Sequence, residues 1–410
     1  MIPRIEAQRI VDSHAARQQG VERVRSVEAV GRVLAEAPVS DQDLPPFDRI
    51  TMDGFAVRAA DLAEPGSLTV VGEVAAGAVA EVPLEAGQAY RVMTGAPLPP
   101  GADSVVMVEQ TEEAAGVVDF KVAVRLGQNI HRQAQDLQVG AQPMAVGERI
   151  TTAHLPLLLT LGCAEVPVIP RPRVSILTSG NELVEPDQRP GPGQIRDSNR
   201  RMLEAQVASA GGVARCEPVV RDDREAMTEA VGRALDSDVV LLTGGSSVGA
   251  YDFSADAVEA HGARRWFEKV SIKPGKPVLY FTRGETQIFC LPGNPVSAFV
   301  TFELLVRPAL ERRLGIRNVW PQPLHLPCRG ELKAPPIRDL FQVASVVAEA
   351  GSWWVEPIRW SGSGDLASMA RANALIHLPM KGQVGKGASV EVLPLRRVEE
   401  SMPRAAEPVE

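Results

Sequence analysis

Three short turns, TSGNEL (178–183), TGGSSVG (243–249) and LPGNPVSAF (291–299), each follow a run of apolar β-formers and carry glycine beside hydroxyl or amide side chains. From residue 171 to about 316 such runs alternate with helix patterns. RVSILTSG is followed by SNRRMLEAQVASAGG, which Ser198 or Asn199 can cap and Gly211 and Gly212 stop. ARCEPVV then leads to DDREAMTEAVGRALD, with Met227, Ala230, Val231, Ala234 and Leu235 on one face and Asp222 and Glu225 at capping-box spacing, and on to DVVLLT. This alternation predicts a parallel α/β sheet covered by helices. Ligands bind such sheets beyond the carboxyl ends of the strands. Three glycine-bearing turns at one edge therefore predict a phosphate or nucleotide pocket. Glycine lets a ligand approach the backbone, and a helix start after LPGNP favours an anion. Neither a GxxxxGK[ST] loop nor a GxGxxG fingerprint after a strand is present.

The other segments read differently. Residues 45–132 hold short β-rich runs (SLTVVGEV, YRVMT, DSVVMVEQ, VVDFKVAV) between Gly- and Pro-rich turns, the pattern of a small β module. It interrupts residues 1–44 and 133–170, a mixed unit with a first helix expected at 4–17. Residues 317–398 are again β-like, and 399–410 read as a disordered tail. The N-terminus lacks an apolar signal core, and no long uncharged apolar run predicts a membrane span. Cys163, Cys216, Cys290 and Cys328 form no CxxC pair, so they read as reduced thiols of a cytoplasmic protein. A net charge of -8 disfavours general attraction to nucleic acid or anionic membranes. An anionic substrate therefore needs a local basic site.

EKVSIKPGKP (268–277) supplies one, with Lys269, Lys273 and Lys276 around a turn stiffened by proline and glycine. Ammonium groups held close together repel unless an anion bridges them. The acids Asp53, Asp136, Glu182, Asp197, Asp222 and Asp252 stand beside Gly, Ser or Asn turns. Near phosphates such acids commonly hold Mg²⁺, although Asp53 and Asp197 also suit plain turns and Asp222 a helix cap. Thr94 lies in a tight Thr-Gly turn, and the six histidines show no ligand spacing.

Together, GRVLAEAPVSDQDLPPFDRITMDGFAVRAAD, RVMTGAPLPPGADSVVMVEQT, SGNELVEP, GQIRDSN, LTGGSSVG, IKPGKP and LPGNPVSAF resemble, in that order, the motifs of the molybdopterin molybdenumtransferases. This is the MoeA family, related to the gephyrin E-domain. The resemblance runs to about Ala374 in GSGDLASMARANAL. It implies an elongated homodimer of four-domain subunits with the active cleft shared between them. It also implies a Mg²⁺-assisted reaction that inserts molybdenum from molybdate into adenylylated molybdopterin and releases AMP. The molybdopterin adenylyltransferase and recipient molybdoenzymes become expected partners.

Residue by residue, Asp53 and Thr94 match loops that reach into the partner's cleft. Asp136 matches an acid of a GED segment, here preceded by Ala134 and Gln135. Glu182 matches the acid of GNEL and Asp222 that of RDD, and with Asp252 they are the expected metal ligands. Lys269, Lys273 and Lys276 match the basic cluster for molybdate or phosphate, followed by Pro277. The resemblance implies ligand contacts at Ser179, Gly180, Asp197 and Asn199. It implies the same for Gly244, Gly245, Ser246, Ser247 and Gly249, and for Gly293, Asn294, Pro295 and Ser297. Ser368 matches a serine that faces the oxyanion site. Two departures stand out. Arg49, Ile50 and Thr51 replace the usual middle of FDNSAMDG, and PIRDLFQVAS keeps Arg338 but has Gln342 where an arginine is usual. Guanidinium forks normally grip a tetrahedral dianion, so an altered oxyanion half is expected. A carrier that holds the pterin without inserting metal, or an enzyme for tungstate, is the competing expectation.

Overall fold

The computed structural model describes residues 1–244, 250–320, 322–349 and 351–395, with the backbone alone at 250–252. Gly245, Ser246, Ser247, Gly249, the Asp252 side chain and the tail at 399–410 lie outside the described residues.

The central sheet has six strands in the order Val213–Cys216, Arg173–Ser179, Val239–Gly244, Thr286–Leu291, Leu279–Arg283 and Arg264–Phe267. Its first four strands are parallel and Leu279–Arg283 runs antiparallel to both its neighbours, so the expected parallel sheet is a mixed one. The cause is short and local. Only Gly284 and Glu285 join Arg283 to Thr286, a connection that closes a hairpin and cannot make a parallel crossover.

Both faces of the sheet are covered, which explains its continuous apolar strands. Val174, Ile176, Val239 and Leu241 pack with Leu203 and Val207 of helix Asn199–Ser209. The alternate residues Leu177, Val240 and Leu242 pack with Met227, Ala230, Val231 and Ala234 of helix Arg224–Ala234. That helix is capped by Asp223, which accepts a hydrogen bond from Ala226 N at 2.9 Å, and not by Asp222. The first helix, Arg4–Ser13, sends Ala7 and Val11 into the core of the α/β unit, and thus leaves the mixed unit to which sequence assigned it. Within that mixed unit, Glu22–Arg25 pairs with Glu165–Val168.

A second six-stranded sheet spans residues 54–120. In it Gly54 is obligatory, because a Cβ there would overlap the carbonyl of Val106. A third sheet carries Asp339–Glu349, Ala374–Leu378, Ser389–Pro394 and Leu324–Pro327, and its outermost strand is Ile272–Lys273, contributed by the preceding unit. Among the described residues no helix is long and apolar enough to cross a membrane.

Candidate functional site

Three adjacent strands deliver the three glycine turns to one place. Ser179 stands opposite Gly244, and Thr243 opposite Leu291. Gly244 admits no larger residue, since a Cβ would overlap the Ser179 carbonyl, and a Cβ on Gly293 would lie 3.4 Å from the Gly244 carbonyl. Asn199 clamps the turns together: its Nδ2 donates to Gly293 O at 2.7 Å and to Thr243 Oγ1 at 3.2 Å. Its Oδ1 is buried and, among the described residues, has no hydrogen-bond partner. Thr243 donates onward to Pro292 O at 3.0 Å.

Beneath this edge lies a buried ionic network. Asp197, 2% exposed, accepts from Thr178 Oγ1 at 2.8 Å and from Arg200 N at 3.1 Å. The Arg200 guanidinium reaches Asp197 at 3.2 Å, Glu185 at 2.5 Å and the Glu217 carbonyl at 3.0 Å. The Arg200 hydrogen bond holds Glu185 below the usual carboxylate range. Asp197 thus faces inward and supports the strand end, which corrects the expectation of a direct ligand contact.

Glu182 and Asp222 behave otherwise. The Glu182 carboxylate lies over Gly180, 2.7 Å from where a Cβ would stand, and makes no ion pair or hydrogen bond among the described residues. Asp222, released from capping, accepts from Asn181 N at 3.4 Å, and Asn181 Oδ1 accepts from Asp222 N at the same distance. Two oxygen donors therefore flank one turn. That suits Mg²⁺, which commonly takes one or two carboxylates and keeps its remaining positions for water and phosphate. No group of three or more metal-ligating side chains occurs among the described residues. Asp252, the third expected ligand, lies outside them.

The lysine loop is anchored by its backbone. Val270 N and Val278 N both donate to Lys276 O, and a Cβ on Gly275 (φ 103°) would crowd Thr301. Lys269 is paired with Glu268 at 3.2 Å, whereas Lys273 and Lys276 are exposed and without an ion pair among the described residues. Pro277 is half-buried behind them.

On the far side, Ser363 was missed in the sequence. Asn294 Nδ2 donates to Ser363 Oγ at 2.9 Å, and Val296 N donates to Ser363 O at 3.1 Å. The start of helix Pro295–Thr301 is therefore partly capped by the C-terminal unit and less open to an anion than expected. Its Ser297 is buried, with its carbonyl accepting from Thr301 at 2.8 Å. Ser368 also departs from expectation. It is buried in the first turn of helix Leu366–Arg371, where Asp365, the helix cap, accepts from its N–H at 3.0 Å and its hydroxyl at 2.8 Å. The hydroxyl also lies 3.0 Å from Arg359 O, so Ser368 is engaged within the fold instead of facing an oxyanion. The N–H groups of Ser361 and Ser368 hold Asp365 far below the usual carboxylate range.

Gln342 is buried, with Nε2 donating to Ile358 O at 2.7 Å. Arg338 is half-buried, and its Nε has no hydrogen-bond partner among the described residues. In the small β module, Asp53 Oδ1 accepts from Thr94 N at 2.6 Å and Oγ1 at 2.8 Å, which lowers its pKa below the usual range. Asp136 lies 3.0 Å from His131. No hydrogen bond or ion pair joins these groups to the strand-end turns among the described residues.

Three family models cover the chain: the MoeA N-terminal region (domain I and II) at residues 2–162, a probable molybdopterin binding domain at 175–312, and the MoeA C-terminal region (domain IV) at 325–395. A molybdopterin molybdenumtransferase of Bacillus subtilis is 36% identical over 96% of this chain and 94% of its own. One of Haemophilus influenzae is 35% identical over 90% and 93%. The crystal structure of a molybdopterin biosynthesis moeA protein from Pyrococcus horikoshii OT3 superposes with a TM-score of 0.83 at 30% identity, covering 96% of this chain and 100% of that one.

Proposed function

Because the chain belongs to the molybdopterin molybdenumtransferases, enzymes of molybdenum cofactor biosynthesis, we propose that its strand-end turns hold adenylylated molybdopterin for insertion of molybdenum from molybdate with release of AMP. One observation carries this reading: Glu182 and Asp222, two carboxylates without ion pairs among the described residues, flank the Gly180–Asn181 turn at the sheet edge. Glu182, Asp222 and Asp252 would hold Mg²⁺, which neutralises charge on the phosphate linkage of the substrate. The turns at Ser179–Gly180, Gly244 and Gly293 would receive the phosphates, and Asn199 fixes the spacing of two of them. Lys273 and Lys276, with Arg338, offset the charge of the oxyanion.

Among the described residues no hydrogen bond or ion pair joins Asp53 or Thr94 to the strand-end turns, which supports a homodimer in which they complete the partner's cleft. Division into 1–44 with 133–170, 45–132, 171–316 and 317–398 is proposed with one amendment, the docking of the first helix on the α/β unit. A reduced-thiol composition supports a cytoplasmic setting.

The test is AMP release by the purified protein from adenylylated molybdopterin and Mg²⁺, with and without molybdate. Molybdate-dependent release that yields active cofactor is expected. Tight binding without release would make the chain a carrier. Lys273→Ala should raise the KM for molybdate about tenfold to a hundredfold, the loss of one charge-assisted contact. An unchanged molybdate dependence removes that lysine from the oxyanion site.

A further inference from the structure

We infer that Asp339 is a positioning residue for the loop bearing Lys273 and Lys276, locked by Arg4 and His377. This rests on the reading of that loop as the oxyanion-holding segment.

The loop is gripped on both sides through its backbone. On one side Ile2 N donates to Lys269 O and Ser271 N to Ile2 O, each at 2.9 Å. On the other, Asp339 N donates to Ser271 O at 2.9 Å, and Ile272–Lys273 runs parallel to Asp339–Leu340. The backbone that fixes Lys273 is therefore the backbone that carries Asp339.

The Asp339 side chain gathers groups from two further segments. Arg4 Nε of the first helix and His377 Nε2 of strand Ala374–Leu378 each lie 3.6 Å from Oδ2, and Met380 N donates to Oδ1 at 3.1 Å. His377 is 8% exposed, stacks on Phe341 at 4.8 Å and 16°, and meets Glu391 at 2.6 Å through Nδ1. Arg4 lies over the same Phe341 ring at 5.7 Å. Arg4 Nε and His377 Nε2 are both buried and, among the described residues, without a hydrogen-bond partner; the carboxylate of Asp339 faces both, and that of Glu391 meets the other ring nitrogen of His377. Burial opposes ionisation of Asp339, but His377, the Met380 N–H and Arg4 hold its pKa below the usual range.

Apolar packing fixes one side of this junction, where Ile272 and Phe341 share a buried core. A cleft of about 440 Å³ opens beside it, lined by Arg4, Trp320, Phe341, His377 and Glu391 among others. On the side where volume is unfilled the geometry depends on the polar contacts, and a shift of about 1 Å in a charge-bearing loop carries a large kinetic penalty.

The test uses the full chain with Asp339→Asn, Arg4→Gln and the double variant, read by amide hydrogen exchange and by steady-state kinetics. In Asp339→Asn the amides of 270–273 should exchange at least about tenfold faster. The KM for molybdate should rise about tenfold, while kcat and the KM for adenylylated molybdopterin stay within about twofold. Arg4→Gln, a change at a less buried site, should move the same two readouts in the same direction. The double variant should be no worse than Asp339→Asn alone, because both residues serve one node. Unchanged exchange at 270–273, or additive effects of the two variants, overturns the inference. Faster exchange with an unchanged molybdate KM upholds the lock and instead overturns the oxyanion reading of the loop.

Discussion

Glu182→Ala should lower the rate of AMP release by about 10²–10³-fold, the loss produced elsewhere by removing one group aimed at developing charge. Stability should stay within about 0.5 kcal/mol, the usual range for a substitution that breaks no internal contact. The asymmetry follows from what Glu182 touches. Its carboxylate closes no ion pair and accepts no hydrogen bond among the described residues, yet it lies over a glycine that gives it room. A charge held at a sheet edge without a protein partner does nothing for the fold. Glu182→Gln keeps the shape and removes the charge, so it should show most of the same loss, together with weaker dependence on Mg²⁺ concentration. Single-turnover AMP release across a Mg²⁺ titration measures both effects. A normal rate in either variant takes Glu182 out of the chemistry and leaves Asp222 as the sole described acid at the turn.

The strand-end turns were readable because apolar runs ending in glycine report a backbone requirement that no other residue meets. The apolar faces of the two helices over the central sheet were readable for the same kind of reason, since 3.6-residue periodicity survives without tertiary information. Features set by a partner distant in sequence were not. Ile272–Lys273 is too short to show alternation, and its partner, Asp339–Leu340, belongs to the C-terminal sheet. Ser363 gave no signal, because its importance comes from meeting Asn294 in space. The choice between Asp222 and Asp223 as helix cap turned on one residue of register, and capping-box spacing selected the wrong neighbour. The mixed sheet was legible in principle, from the two-residue connection at Gly284 and Glu285, but only the run that ends at LPGNP reads as a strand, and its hairpin partner Leu279–Arg283 gave no separate signal. Asp197 shows the remaining difficulty. A turn acid in a ligand-binding motif looks the same in sequence whether it faces the ligand or the core.

Asp197→Ala is therefore expected to act on the fold, with a cost of about 3 kcal/mol. Removing one partner of a buried ion pair typically costs about 3–5 kcal/mol, because the other charge is left uncompensated in a poorly polarisable interior. The lower end applies here, since Arg200 keeps both oxygens of Glu185 and the Glu217 carbonyl. Thr178 Oγ1 and Arg200 N nevertheless lose their acceptors, one beside Ser179 and the other in the first turn of helix Asn199–Ser209. For a unit of this size the transition of the α/β region should fall by about 6–12 °C in calorimetry. Asp197→Asn separates the contributions. It can retain both neutral hydrogen bonds while giving up the ionic one, so its loss should be roughly half as large. An alanine variant with an unshifted transition but a raised KM for adenylylated molybdopterin would place Asp197 on the ligand after all. A lowered transition, with kinetics restored at temperatures where the variant is folded, would leave it as the buried support on which the Thr178–Gly180 turn rests.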